Sequence, residues 1–160
     1  MPKNLFKIIA TAVIVKNNKF LIAKRSEKEE RFPGLWTVPG GKMDTGDYTK
    51  GKKDTAHYWY NALETTLKRE ITEEVGMKIK NIRYVTSLAD NPKGKDPSIV
   101  LSLMADWTSG KGKISNEIIE FSWVDLKEAK KYKLIEGIYE ELEQADKLLK
   151  GERTVWKKKK

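Results

Sequence analysis

Apolar runs along the chain predict a series of β-strands. Residues 6–15 (Phe-Lys-Ile-Ile-Ala-Thr-Ala-Val-Ile-Val) are largely β-branched and apolar, which predicts a buried strand. Asn17-Asn18 predicts a tight turn into a second strand over 19–25, and Pro33-Gly34 predicts a turn into a short strand over 35–38. The remaining predicted strands span residues 78–89, 98–107 and 118–124.

Between the third and fourth of these predicted strands, the apolar spacing changes to that of a helix, which Gly76 is expected to end. The start of this helix has two interpretations. Asp54 is a suitable N-cap, and Asn61 is another, since Asn61 and Glu64 resemble a capping box. Either start leaves the same buried stripe, consisting of Leu63, Leu67, Ile71 and Val75.

The last part of the chain predicts two further helices. Asp125 is expected to cap a short helix over 126–132, and the apolar spacing over 134–149 predicts an amphipathic closing helix. Strands on both sides of the central helix, together with a late helix, predict an α/β sandwich with a mixed β-sheet.

Composition restricts the class of protein. A chain of 160 residues and 18.4 kDa fits a single domain, expected over 1–155, with a basic C-terminal tail over 156–160 in which Lys157 to Lys160 are frayed and solvated. The absence of cysteine excludes disulfides and thiolate sites. No apolar run reaches the roughly 18 residues of a membrane span, and no signal-peptide pattern is present, so a soluble, cytoplasmic protein is expected. The net charge of +9 suits a polyanionic partner.

Candidate chemistry lies in Arg69-Glu70-Ile71-Thr72-Glu73-Glu74-Val75-Gly76-Met77. On a helix, Glu70, Glu73 and Glu74 share one face, and such like charges repel unless a cation offsets them. Mg²⁺ is a natural candidate because it takes oxygen ligands; a merely solvated acidic face is the alternative. The upstream pair Gly40-Gly41 favours a site, since a backbone without Cβ atoms can approach a ligand or metal closely.

This pattern resembles the Nudix box. In that family a Gly is followed by five residues, Glu, seven residues, and then Arg-Glu-apolar-any-Glu-Glu-any-Gly-apolar. Here Gly41, five residues, Asp47 and the stretch 69–77 follow the same order, and 69–77 matches at every fixed position. The sequence departs twice: Asp47 replaces Glu, and 21 residues separate it from Arg69, which indicates a 14-residue insertion over 48–61.

The resemblance implies a Nudix-type α/β/α sandwich and Mg²⁺-dependent hydrolysis, with Mn²⁺ as an alternative, of a phosphoanhydride in a nucleoside diphosphate derivative. It implies that Arg69 braces Asp47 and that a further carboxylate comes from a late strand. We expect that carboxylate to be Glu120, with Glu117 as second choice. The expected catalytic residues are Glu73, Glu70 and Arg69; the metal ligands Glu70, Glu74, Glu73, Gly41 and Glu120; and the substrate-binding residues Arg25, Gly40 and Lys42.

Several properties stay open at this level. Leu35-Trp36 with Pro39-Gly40-Gly41 resembles the MutT-like members of the family, and this resemblance favours (deoxy)nucleoside triphosphates as substrates. The alternatives are ADP-ribose or sugar nucleotides, an RNA 5′ end, and a non-catalytic nucleotide-binding role. Nucleic acid would bind through the basic surface. The insertion combines a basic, glycine-containing loop with His57, Tyr58, Trp59 and Tyr60. These aromatic residues suit packing, a homodimer contact, or a lid that stacks on a nucleobase.

Overall fold

The computed structural model describes residues 5–156, which form seven strands and four helices. No helix among these residues is both long and apolar enough to cross a membrane. The expected basic tail lies outside the described residues except for Trp156. The elements in chain order are β1 (Lys7–Lys16), β2 (Lys19–Arg25), β3 (Trp36–Thr37), β4 (Gly40–Lys42), α1 (Gly46–Thr49), α2 (Ala62–Val75), β5 (Lys78–Asp90), β6 (Ser98–Ser109), β7 (Ile118–Val124), α3 (Leu126–Ala129) and α4 (Ile138–Leu149).

The strands form one mixed sheet, as predicted. Its path runs β3-β2-β1-β6-β5, with β4 paired to β1 and β7 paired to β2. The pair β1–β6 is parallel, and the other named pairs are antiparallel. Asn17 and Asn18 form the β1–β2 turn with φ of 49° and 58°, a conformation that asparagine tolerates.

Two apolar cores lie on opposite faces of this sheet, so the architecture is an α/β/α sandwich. On one face, Leu67, Ile71 and Val75 of α2 pack against alternate residues of the strands. On the other face, Leu142 and Ala145 of α4 pack against the intervening strand residues. Because strand side chains alternate between faces, a residue's position along its strand decides which core, and which helix, it meets.

The helix starts differ from several expectations. The central helix begins at Ala62, so a start at Asp54 is wrong. Asn61 does precede the helix, but it adopts a left-handed conformation (φ 55°, ψ 32°) and makes no side-chain cap hydrogen bond, so the capping-box prediction is also wrong. Gly76 ends the helix as expected, with φ of 64°. Asp125 caps α3 through a complete capping box with Glu128.

The insertion is also folded differently from the prediction. Residues 46–49, at its boundary, form α1, and the rest of the insertion contains no helix or strand. The strand expected over 35–38 is only Trp36–Thr37, while Gly40–Lys42, where no strand was predicted, adds to β1 as a separate strand. This pairing fixes the glycine pair beside α2.

Candidate active site

Glu74 is the most deeply placed of the three helix carboxylates. Its Oε2 accepts a hydrogen bond from the Gly40 backbone N–H at 2.9 Å. The pKa of Glu74 is raised to about 7, chiefly by burial and also by the negative charges of Glu117 and Glu70, although the Gly40 N–H and the charge of Arg25 act against the shift. A carboxylate held in this state binds a proton readily, and a cation that bound there would displace that proton to solvent.

Glu70 lies directly over the second glycine. A Cβ atom at Gly41 would overlap the Glu70 carboxylate, so only glycine leaves room for this side chain. Burial raises the pKa of Glu70, although Arg69 opposes the shift through an ion pair at 2.8 Å. The glycine pair and the helix are therefore matched residue by residue: Gly40 to Glu74 and Gly41 to Glu70.

Arg69 braces the loop before the insertion against α2, as the family resemblance implied. Its guanidinium bonds both carboxylate oxygens of Asp47, one of them at 3.0 Å, and it donates to the Lys42 carbonyl at 3.1 Å. The Asp47 side chain is only 4% exposed and also accepts a hydrogen bond from the Thr66 hydroxyl at 2.8 Å. These bonds, with Arg69 foremost, lower the pKa of Asp47 to about 2.

Thr66 was not among the residues expected from the sequence. It is fully buried although polar, one helical turn before Arg69, and it bonds the same carboxylate. A signal was available, because residues three apart share a helix face. A buried threonine on the face of the bracing arginine is therefore a natural second partner for Asp47.

Glu73 is the most accessible carboxylate of the helix. Its side chain is 62% exposed, and it forms an ion pair with Arg69 at 3.0 Å. It is open to solvent, whereas Glu74 is half-buried. The helix thus presents one exposed carboxylate, Glu73, and two half-buried ones, Glu70 and Glu74.

The structure separates the two late carboxylates that the sequence offered. Phe121 packs against the core under α2, and Ser122 bonds the Tyr132 hydroxyl on the α4 side. Because side chains alternate along a strand, Glu120 lies on the α4 side of the sheet, away from the helix carboxylates. Its neighbour across the β2–β7 register is Lys24. The preference for Glu120 is therefore not supported by its position. Glu117 is near enough to Glu74 for its charge to raise the pKa of Glu74.

The expected substrate-binding residues lie around this cluster. Arg25 is close enough to Glu74 to act on its pKa, and its guanidinium is held by the Arg31 carbonyl at 3.0 Å and Glu29 at 3.2 Å. Lys42 lies at an open cleft of about 400 Å³ beside the brace. The cleft is lined by Lys42, Met43, Asp44, Gly46, Asp47, Lys50, Arg69 and Glu70.

The donor set suits a hard divalent cation, although within residues 5–156 no three acidic or histidine side chains converge as a preformed metal site. Glu70 is turned to Arg69, and Glu74 is turned to the Gly40 N–H. Both are desolvated carboxylates of raised pKa beside further negative charge. The cost of desolvating these carboxylates, and the repulsion between them, are offset when their oxygens ligate a cation such as Mg²⁺.

An α/β/α sandwich in which one helix holds carboxylates against a paired-glycine strand defines a recognisable class of protein. Residues 6–145 match the family model of the NUDIX domain. The chain therefore belongs to the Nudix hydrolase family, as its sequence pattern indicated.

Known relatives agree with this assignment. The chain is 32% identical over 119 residues to the NAD-capped RNA hydrolase NudC of Enterobacter sp. (strain 638), covering 72% of this chain and 38% of that protein. It thus spans about two fifths of the length of the curated relatives it matches. Two solved structures share the fold. The MutT protein from Methanosarcina mazei Go1 has a TM-score of 0.68 at 24% identity, covering 94% of this chain and 99% of that one. The NUDIX domain of Shewanella oneidensis NrtR complexed with ADP ribose has a TM-score of 0.66 at 20% identity, covering 93% and 92%.

Proposed function

We propose that this protein hydrolyses a phosphoanhydride bond in a nucleoside diphosphate derivative, with Mg²⁺ or alternatively Mn²⁺ as cofactor. The observation that carries the proposal is the matched pair of contacts between Gly40-Gly41 and the carboxylates Glu74 and Glu70. This arrangement concentrates desolvated negative charge beside accessible backbone, which a structural helix would not need.

The burial and exposure of each side chain suggest its role in the proposed reaction. Glu70, Glu74 and the Gly41 carbonyl are the proposed inner metal ligands, and Glu73 serves as a ligand or as the base that accepts a proton from the attacking water. A bound cation would neutralise phosphate oxygens and lower the pKa of that water. Arg69 is a positioning residue, because its contacts with Asp47 hold the loop on the helix.

Four other residues complete the proposed site. Arg25 and Lys42 are placed to bind phosphate oxygens, and Gly40 holds Glu74 through its N–H. Glu117 takes the place expected for Glu120 as the additional carboxylate. Its effect on the pKa of Glu74 supports this choice.

Two substrate classes have support. The Leu35-Trp36 and Pro39-Gly40-Gly41 residues favour (deoxy)nucleoside triphosphates. A capped RNA 5′ end is favoured by the alignment with relatives named NAD-capped RNA hydrolase and by the net charge of +9. ADP-ribose and sugar nucleotides belong in the same comparison, as does a regulatory role in which the site binds a nucleotide without turnover.

The test is phosphate, pyrophosphate or nucleoside monophosphate release across these substrates with Mg²⁺, Mn²⁺ or chelator. We expect turnover of one class, reduced by several orders of magnitude in Glu73→Gln and Glu74→Gln. Glu117→Gln and Glu120→Gln form a matched pair: the first should lower turnover and the second should not. Binding of a nucleotide without metal-dependent turnover of any substrate would contradict hydrolysis and favour the regulatory role.

A further inference from the structure

Two tyrosines of the insertion have no part in the proposed reaction. Tyr58 and Tyr60 are each 65% exposed. Trp59, between them, is turned inward: its ring meets Tyr48 edge-on with centroids 5.5 Å apart, and its Nε1 donates to the Gly51 carbonyl at 2.9 Å. The insertion therefore anchors itself through one aromatic residue and leaves the two flanking rings at the surface.

The backbone that carries these rings is held in one conformation by its own hydrogen bonds. The N–H of Asp54 donates to the Tyr58 carbonyl at 3.0 Å, and the N–H of Tyr60 donates to the Asp54 carboxylate at 2.9 Å. The N–H of Tyr58 donates to the Thr55 hydroxyl at 3.0 Å. Aromatic rings on an ordered loop lose little conformational entropy when a partner binds, so the arrangement suits recognition.

The charge of the insertion is positive. Lys50, Lys52 and Lys53 are all exposed, and Asp54 is the single acidic residue in the segment 48–61. The carboxylate of Asp54 is already engaged by the Tyr60 N–H. Exposed aromatic rings on the same segment as exposed lysines match single-stranded nucleic acid, because bases stack on rings while lysines contact phosphates.

The position of the insertion connects it with the carboxylate site. Asp47, one residue before the insertion, is bonded to Arg69. Lys50 lines the same open cleft as Glu70. A polynucleotide whose 5′ phosphates lie at Glu70 would therefore meet Lys50 as its chain leaves the cleft.

We propose that the insertion 48–61 binds the first nucleotides of a single-stranded RNA, with Tyr58 and Tyr60 stacking on bases and Lys50, Lys52 and Lys53 contacting phosphates. The proposal rests on the proposed function in one respect, namely the location of the 5′ phosphates. Binding itself requires no turnover and can be measured in its absence.

The experiment uses fluorescence anisotropy of a 3′-fluorescein RNA of about ten nucleotides, a length within the site sizes of single-strand binders. The Tyr58→Ala and Tyr60→Ala variants should each weaken binding roughly fivefold or more. Replacing Lys50, Lys52 and Lys53 by Gln should reduce the slope of log affinity against log salt by about 0.7 for each phosphate that a lysine no longer neutralises. Phe at either tyrosine position should retain binding, because stacking needs the ring and not the hydroxyl.

Matched controls exist elsewhere on the surface. Tyr84 is 59% exposed on β5, and Lys127, Lys130 and Lys131 are exposed near α3. Tyr84→Ala and the triple Gln variant of these lysines should leave the affinity and the salt slope close to wild type. Equal losses of affinity in the control and insertion variants would indicate diffuse charge and would overturn the proposal.

The other interpretations of the insertion give different results. If its aromatic rings form a homodimer contact, Tyr58→Ala and Tyr60→Ala would change the mass in sedimentation while RNA binding stayed unchanged, which would overturn the proposal. Failure of the proposed function is distinguishable, because wild type would then turn over neither capped RNA nor nucleotides. In that case, weaker RNA binding by the insertion variants than by wild type, measured by anisotropy, would still support the RNA contact.

Discussion

At the scale of single residues, the site holds carboxylates in opposite states. Asp47 is kept ionised by Arg69, with its pKa lowered to about 2, whereas burial raises the pKa of Glu74 to about 7. The first carboxylate holds the loop on the helix, and the second is one of the proposed cation ligands. Arg69 pairs with Asp47, Glu70 and Glu73, whereas Glu74 has the Gly40 N–H as its partner, so the two carboxylates differ in partner as well as in pKa.

The Asp47–Arg69 pair predicts a defined pH dependence of stability. Because the pKa of Asp47 is depressed from 3.8 to about 2 in the folded state, its contribution is present above pH 3.8 and is lost as the pH falls through about 2. Asp47→Asn should lower the free energy of unfolding by about 2 kcal/mol at neutral pH. Urea unfolding should show this difference shrinking below pH 4. Asp96→Asn, an exposed control, should show little change at any pH, and a constant deficit in Asp47→Asn would contradict the ion pair as its cause.

The two glycines predict two different defects. A Cβ at Gly40 would overlap the backbone at Ala10 and Thr11, so Gly40→Ala should lower unfolding stability by about 1–3 kcal/mol. A Cβ at Gly41 would instead displace the flexible end of Glu70, so Gly41→Ala should lose metal-dependent turnover with a smaller loss of stability. Thermal unfolding and activity measured on both variants test this split, and the reverse pattern would show that Gly41 is needed for folding.

At the scale of elements, the sequence predicted what depends on apolar spacing. Of the predicted stripe, Leu67, Ile71 and Val75 are buried in α2 while Leu63 is half-buried, and the strand over 118–124 has the expected bounds. The short strand Gly40–Lys42 could not be found this way. It has no apolar side chain, and its pairing with β1 depends on the close approach that two glycines allow.

The start of α2 shows a second limit of local patterns. Asn61 and Glu64 have capping-box spacing, but Asn61 is left-handed, so its side chain does not cap the helix. The insertion must turn sharply to enter the helix, and asparagine tolerates the positive φ that this turn requires. The requirement comes from the path of residues 50–60, which local spacing does not encode.

Asn61 variants test that explanation directly. A left-handed position predicts that Asn61→Gly keeps or raises stability, while Asn61→Ser lowers it by about 1 kcal/mol. A side-chain cap predicts the opposite order, since serine caps as well as asparagine and glycine loses a few tenths of a kcal/mol. Thermal unfolding distinguishes the two. Asn91→Ser, in an exposed loop without positive φ, is the control.

At the scale of the whole molecule, one sheet separates two functions. The α2 face presents the carboxylates and the paired glycines, while the α4 face holds a second apolar core that supports the sheet from behind. This division is the reason for proposing Glu117 in place of Glu120, a choice that local sequence patterns do not address. The alternation of side chains along β7 and the shift in register between Lys24 and Arg25 give Glu117 and Glu120 different positions. The alternation and the register shift are both properties of the assembled sheet.

The proposed cation site predicts how Mg²⁺ affects the stability of the whole fold. Metal that binds only the folded state stabilises it, by about 2.7 kcal/mol at a hundredfold excess over its Kd. Mg²⁺ should therefore raise the Tm of the wild type by several degrees.

In Glu74→Gln the metal-free protein should be as stable as wild type or more so, because a desolvated carboxylate beside Glu70 and Glu117 no longer has to be accommodated. Its Mg²⁺-dependent Tm shift should be largely lost, whereas Glu120→Gln should retain the full shift. Calorimetry with Mg²⁺ and with chelator measures both quantities, and a Glu74→Gln protein that is destabilised yet keeps its Mg²⁺ shift would show that Glu74 supports the fold and does not bind the cation.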